Sequence, residues 1–347
     1  MQESIFNKEM AFTMSVAGSF PRHPAQVNGL LQADAEIIRL PGEPEKYMVF
    51  KTDGIHEEIR EGLYSDPHLI GWMTVTAPLS DLAAVGAAPM GLLLSLVLPV
   101  QQGPDWLEGF KAGIHGACSA YGIYVLGGDT NLGVACSTSA TAIAQLESGK
   151  PLLRTGIKPG DYLYATARLG AGNAYAYGRL FNPSAAIAYK PFARLQESRF
   201  IRQHATACMD TSDGLFPALS VLSELNETGF ELTVPLDDVL HPAILPVQQL
   251  SGLPAWMFMA GPHGEYELLF SIPALKQPEF LAASRREDWQ PVLLGRATME
   301  RKLCFLSGSL SVACAPALVP NLFAEAGGNV RAYFSLLLQQ QEQWSHP

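Results

Sequence analysis

Leu126-Gly127-Gly128-Asp129-Thr130-Asn131 sets two glycines, a carboxylate and a hydroxyl at what reads as the end of a short strand, Ile123–Leu126. Glycines allow backbone N–H groups close to phosphate oxygens, and an adjacent carboxylate suits a cation bridging those oxygens. Taken alone, Asp129 equally fits a turn aspartate that satisfies its own backbone. Five more aspartates lie in similar small-residue contexts: Asp34, Asp53, Asp81, Asp210 and Asp213. Ser80-Asp81 and Ser212-Asp213 also read as helix N-caps, and Asp53 before Gly54 as a plain turn. Six such positions at expected strand ends and helix starts favour a shared role. Clustered carboxylates without a cation would repel one another, whereas magnesium takes oxygen ligands and few carboxylates per ion. The set is therefore expected to converge on Mg²⁺ and the phosphates of ATP, with room for more than one ion.

Outward from this stretch, strands and helices alternate, so the fold class expected is α/β or α+β. Ala35–Leu40 and Tyr47–Lys51 read as a hairpin around Pro41-Gly42-Glu43-Pro44, placing Asp34 and Asp53 at one end of a sheet. Pro67 to Val85 has helical spacing, with a kink or break expected at Pro78 and a stop at Gly86. Gly91–Leu98 reads as a buried strand, Trp106–Tyr121 as a helix and Val134–Leu146 as a strand. Around 147–160 the texture becomes Gly- and Pro-rich, which places a domain boundary there. Beyond it, strands are expected at Asp161–Ala167, Ala207–Met209, Tyr266–Ile272 and Pro291–Arg296, with a helix over Gly214–Leu225. The expected organisation is an arm over 1–30, read as mobile, domains over 31–150 and 155–335, and a remnant over 344–347. Trp344-Ser345-His346-Pro347 matches the start of a streptavidin-binding purification tag and is set aside.

The chain has 347 residues, 48% hydrophobic and 16% charged, enough for two separate cores. Its 23 basic and 33 acidic residues give a formal charge of −10 without a basic cluster, which argues against a nucleic-acid partner. The five cysteines include no Cys-x-x-Cys pair and read as free thiols in a reducing compartment. No apolar run is long enough to span a bilayer, and residues 1–7 lack a signal-peptide pattern, so a cytoplasmic location is expected. There is no Walker loop, no Gly-x-Ser-x-Gly elbow and no zinc-protease helix; Gly170-Ala171-Gly172 reads as a tight strand-to-helix turn.

At the aspartates the sequence resembles the superfamily of aminoimidazole ribonucleotide synthetase, selenophosphate synthetase, the hydrogenase maturation dehydratase and thiamine-monophosphate kinase. The resemblance is strongest to the last branch. It is carried in order by Ala33-Asp34-Ala35, Thr52-Asp53, the run from Ser80-Asp81 to Pro89, Gly127-Gly128-Asp129-Thr130, Arg154 to Asp161, Asp210 to Leu215, and Tyr266 to Phe270. It implies that Asp34, Asp53, Asp81, Asp129, Asp210 and Asp213, with Thr52, hold magnesium. Gly127, Gly128, Arg154 and Ser212 would contact ATP. It also implies two α/β domains and a homodimer whose N-terminal domains share a β-barrel. The activity implied is transfer of the ATP γ-phosphate to a small-molecule acceptor. A synthetase or dehydratase of the same superfamily, and a catalytically silent nucleotide-binding scaffold, are the alternatives.

The departures from the family pattern bear on the substrate. The family's double aspartate is Ala33-Asp34 here, and Lys51 brings a cation toward the phosphates in place of a hydroxyl residue. The kinase's Val-Glu-Gly-Val-His-Phe segment is replaced by Gly54 to Arg60, so its substrate histidine falls on Arg60, with His56 nearby. Its Gly-Gly-Glu-Asp-Tyr-Glu-Leu becomes Pro262-His263-Gly264-Glu265-Tyr266-Glu267-Leu268, which makes Glu265 an acceptor-side residue.

Overall fold

The structure is a computed structural model that describes residues 7–146 and 148–345. Two sheets form its framework. The first contains β1 (Glu36–Arg39), β2 (Tyr47–Gly54), β3 (Ala88–Pro99), β4 (Val125–Gly133) and β5 (Ser137–Leu146), in spatial order β1-β2-β5-β3-β4. Only the β3–β4 pairing in this sheet is parallel. The second contains β6 (Tyr162–Ala165), β7 (Ala207–Asp210), β8 (Gly229–Glu231), β9 (Leu268–Ile272), β10 (Val292–Thr298), β11 (Leu303–Ser307) and β12 (Leu310–Cys314). Its order is β12-β11-β8-β10-β6-β9-β7. Every residue of β7 and β9 is buried, as expected of strands covered on both faces.

Ahead of the first sheet lies α1 (Lys8–Ala17), and α2 (His56–Arg60) follows β2. Against the sheet lie α3 (Pro67–Val85) and α4 (Pro104–Tyr121). Helix α3 runs through Pro78 without a break, contrary to expectation. Proline there forfeits a backbone bond at a cost of ~3 kcal/mol. All residues from Leu69 to Val85 are nevertheless buried, so packing on every face outweighs that loss. Helices α3 and α4 approach at two glycines: a Cβ on Gly71 would sit 2.1 Å from the Phe110 carbonyl oxygen, and one on Gly113 2.1 Å from that of His68. Helix α3 also packs on the second half of the chain, where its Ala83 and Ala84 share a core with Tyr164, Ile201, Cys208 and Phe270. The helices α5 (Ala171–Leu180), α6 (Leu195–His204) and α7 (Leu215–Asn226) flank the second sheet.

Three local expectations change. The strand ending at Leu126 in fact continues through both glycines to Gly133, so Gly127-Gly128-Asp129 is mid-strand and not a loop. A Cβ on Gly128 would lie 1.9 Å from the Leu94 carbonyl oxygen, so glycine serves close strand pairing here. The arm expected over 1–30 contains an ordered helix: the Asn7 side chain caps α1 and donates to Ser220 Oγ at 3.2 Å, tying it to α7. Trp344, set aside as a tag residue, lies in the last turn of the helix Val330–Ser345. It packs edge-on against Trp256, with ring centroids 4.9 Å apart, while the Trp256 indole donates to Gln341 at 2.5 Å. His346 and Pro347 lie outside the described residues. No disulfide joins the five cysteines, and no described helix is long and apolar enough to cross a membrane.

Candidate active site

Three of the six aspartates meet where the two halves join. Ligand oxygens of Asp34, Asp81 and Asp210 all lie within 4.8 Å of one another, and all three side chains are buried. Asp34 comes from the segment before β1, Asp81 from within α3, and Asp210 from the last position of β7. Asp81 is therefore no N-cap; α3 carries it into the seam from one side while β7 brings Asp210 from the other. Ser80 Oγ donates to Asp210 Oδ2 at 2.7 Å, and Ser212 Oγ to Asp210 Oδ1 at 2.9 Å.

Two cations hold the cluster together. Arg154 grips Asp34 with two N–H groups, at 2.9 and 3.2 Å, the planar fork suiting a carboxylate. Lys51 Nζ lies 3.0 Å from Asp81 Oδ1. Removal from water opposes the charge on Lys51, yet Asp81, Asp53 and Asp34 together push its pKa above the ordinary lysine value. Burial, with the charge of Asp34 added, raises Asp210 to about 6. Asp81 is raised well above the ordinary carboxylate range, first by burial and then by Asp210 and Asp53, against the pull of Lys51. A divalent cation bound between them would relieve the crowding that raises Asp81 and Asp210.

Asp53 belongs to this field: its charge reaches Lys51, Asp81 and Asp213. The Asp213 residue is exposed at the surface and caps nothing, since α7 has Gly214 at its N-cap and no side-chain cap. Surrounding protein, then Glu9 and Asp210, raise Asp213 to about 7. Asp129 stands apart. It is exposed on the edge strand β4 and bonded to Asn131 at 2.6 Å. The register Gly54–Ser139–Ser95–Asp129 puts it level with the end of β2 but three strand spacings away, ~14 Å. Gly127 and Gly128 share that edge, and Thr52 points away to bond Thr141 at 2.8 Å.

Glu57, Glu58 and Glu61, from α2 and its end, line a cavity of about 130 Å³ with Glu9, Asp213 and His263. Among the described residues, no lysine or arginine lines it. Glu58 is raised to about 7 by burial, then by Asp53 and Glu57. Burial depresses His263 to about 4, and its Nε2 is buried without a hydrogen-bond partner. His56 and Arg60 are both exposed, and Arg60 faces Glu57 at 3.6 Å. Glu265 is instead buried, accepting from the Gly170 N–H at 2.7 Å and Thr211 Oγ at 2.9 Å. Sequence reasoning missed Glu9, Glu58, Glu61 and His263, which show no local pattern. It also missed Tyr64, Tyr175 and Tyr189, whose rings gather close by, Tyr189 donating to the Gly264 carbonyl at 2.7 Å.

The family profile "AIR synthase related protein, N-terminal domain" matches residues 32–146. Together with curated relatives, this places the chain in the ATP-dependent phosphoryl-transfer class of enzymes. The thiamine-monophosphate kinase of Escherichia coli O157:H7 is 30% identical over 255 residues, covering 70% of this chain and 76% of the relative. The chain belongs to the thiamine-monophosphate kinase family. Solved structures agree in fold. The protein tt0281 from Thermus thermophilus superimposes with a TM-score of 0.70 at 25% identity, over 87% of this chain and 97% of that one. A structure described as "AaThiL complexed with AMPPCP and TMP" gives 0.69 at 19% identity, over 86% and 92%.

Proposed function

We propose that this enzyme transfers the γ-phosphate of ATP to a small organic cation that carries a phosphate or hydroxyl group. The observation that carries the proposal is the meeting of Asp34, Asp81 and Asp210 at one seam, pinned by Arg154 and Lys51. This donor set fits Mg²⁺, which would be held by Asp34, Asp53, Asp81, Asp210 and Asp213. Bound there, the metal would offset the triphosphate charge and polarise the transferring phosphoryl group.

The chain's own residues supply position and charge. Arg154 and Lys51, each already beside a carboxylate, present N–H groups where phosphate oxygens would enter. Ser212, on the loop between β7 and α7, fixes the Asp210 carboxylate and offers its hydroxyl to the same space. The glutamate-lined cavity beside Asp213 would take the positive part of the acceptor, and the unpaired His263 Nε2 would orient a polar group there. The relatives' name makes thiamine monophosphate, whose thiazolium is cationic, the first acceptor to test. The altered segments at Gly54–Arg60 and Pro262–Glu265 support testing others beside it.

A homodimer would complete the site. Among the described residues strand β4 leaves one edge unpaired, and around it Tyr124, Leu126, Leu132 and Val134 are 75%, 58%, 76% and 87% exposed. A second copy covering this edge would bury that apolar surface. It would also bring Gly127, Gly128 and Asp129 of one copy toward the carboxylates of the other.

The test is ADP release from ATP and Mg²⁺ by the full chain across cationic and neutral phosphorylated acceptors, in wild type and Asp210→Asn. Release that depends on a cationic acceptor and falls at least ~10²-fold in the variant is expected. Acceptor-dependent release that survives the substitution, or that prefers neutral acceptors, would overturn the proposal.

A further inference from the structure

A cavity of about 730 Å³, far larger than the glutamate-lined one, shares no lining residue with the carboxylate seam. It sits on the C-terminal sheet, beside β6, β10 and the helix Gln277–Arg286, and has the volume of a mononucleotide-sized ligand site. Among the described residues that line it are Arg168, Arg194, Arg285 and one acid, Glu197, which pairs with Arg194 at 3.4 Å, while Arg168 donates to the Asp238 and Leu240 carbonyls. Its apolar wall includes Trp289 and Tyr164.

That wall is held in place. The Trp289 indole donates to the Thr166 carbonyl at 3.0 Å, and the Tyr164 hydroxyl accepts from Gln277 at 2.7 Å. Asp288, just before Trp289, sits at φ 52, a left-handed conformation that a non-glycine residue adopts at a cost. That turn ends the helix Gln277–Arg286, with the Trp289 N–H returning to the Ser284 carbonyl at 3.1 Å, and so fixes where the indole enters. Guanidinium groups beside an ordered indole are suited to an aromatic anion, through ion pairing and stacking.

One wall is also wired to the catalytic loop. Arg194 clasps Glu267 through two N–H groups, one of them at 2.7 Å. Glu267 in turn accepts from Thr166 Oγ at 2.5 Å, and its carbonyl accepts from the Thr211 N–H at 2.8 Å. Thr211 follows Asp210 directly in the chain. An anion drawing on Arg194 would loosen its hold on Glu267, and Glu267 positions the backbone next to Asp210.

We propose that this arginine- and tryptophan-lined cavity is an effector site for an aromatic phosphate or carboxylate, coupled to the nucleotide site through Arg194 and Glu267. The test uses 1-naphthyl phosphate as the probe, with 1-naphthol as its uncharged control, on the full chain. Saturable quenching of tryptophan fluorescence by the phosphate and not by naphthol is expected. It should persist with saturating non-hydrolysable ATP analogue and Mg²⁺. Arg285→Glu, at an exposed position whose change leaves the fold intact, should weaken it at least tenfold; Trp289→Phe should reduce the quench while keeping the protein folded.

The probe should shift the dissociation constant of the analogue, and the analogue should shift that of the probe by the same factor. Competition by the analogue, indifference to Arg285→Glu, or equal binding of naphthol would overturn the site. Binding without any mutual shift would overturn the coupling. Since none of these readouts needs the acceptor, failure here is distinguishable from failure of the proposed kinase activity.

Discussion

Replacing Lys51 by methionine tests the electrostatics of the seam directly. At 3.0 Å from Asp81 the attraction is about 5–6 kcal/mol at an effective dielectric near 20. Part of that is regained because the lysine no longer has to be desolvated. Removing one partner of a pair this enclosed leaves a net cost of about 3 kcal/mol, because Asp81 remains buried beside Asp53 and Asp34. In a chain of this size that corresponds to a fall of roughly 5 °C in Tm. The assay is a thermal scan of wild type and Lys51→Met at pH 8, first with EDTA and then with Mg²⁺. The variant should melt lower in EDTA and recover most of the gap with Mg²⁺, since a divalent cation replaces the missing charge. Equal melting in EDTA, or the same Mg²⁺ increment in both proteins, would refute the account of Lys51 as the resident counter-charge.

Burial raises Glu265 to about 8 from an ordinary 4.5 despite the bonds from Gly170 and Thr211, so the native state keeps a proton that the unfolded chain releases. Stability should therefore fall as pH climbs from about 4.5 to about 8, and Glu265→Gln should flatten that slope in a pH series of Tm. Gly128→Ala, whose Cβ would meet the Leu94 carbonyl oxygen at 1.9 Å, should push β4 off β3 and cost about 2–3 kcal/mol in denaturant unfolding. Leu132→Asp on the exposed edge should leave Tm within about 1 °C and shift a dimer to monomer in analytical ultracentrifugation; an unchanged sedimentation coefficient would exclude β4 as the dimer face. Trp344→Ala removes a half-buried ring from Trp256 and Phe305 and should cost about 2 kcal/mol, whereas a tag residue would cost nothing measurable.

Part of the carboxylate cluster was readable because aspartates set among small residues stand out along the chain. Asp34, Asp81 and Asp210 were singled out from small neighbours alone and do meet. Ser212 and Arg154 fall beside them as well. The glutamate-lined cavity was less legible. Glu9 reaches Asp213 only because α1 docks on α7, a contact between residues more than two hundred positions apart, and Glu265 looked like a ligand residue but turned inward.

Local chemistry was enough to set the alternation of strands and helices, the hairpin around Pro41–Pro44, the Gly86 stop and the list of aspartates, since each depends on neighbours a few residues away. What proline does inside a helix depends on whether the surrounding core offsets the lost bond, and around Pro78 it does. Strand register placed Asp129 three strands from Asp53, and no spacing along the chain encodes that distance. Folding also decided which carboxylates are short of water and which cations answer them, because burial and charge crowding are properties of the packed seam between two halves.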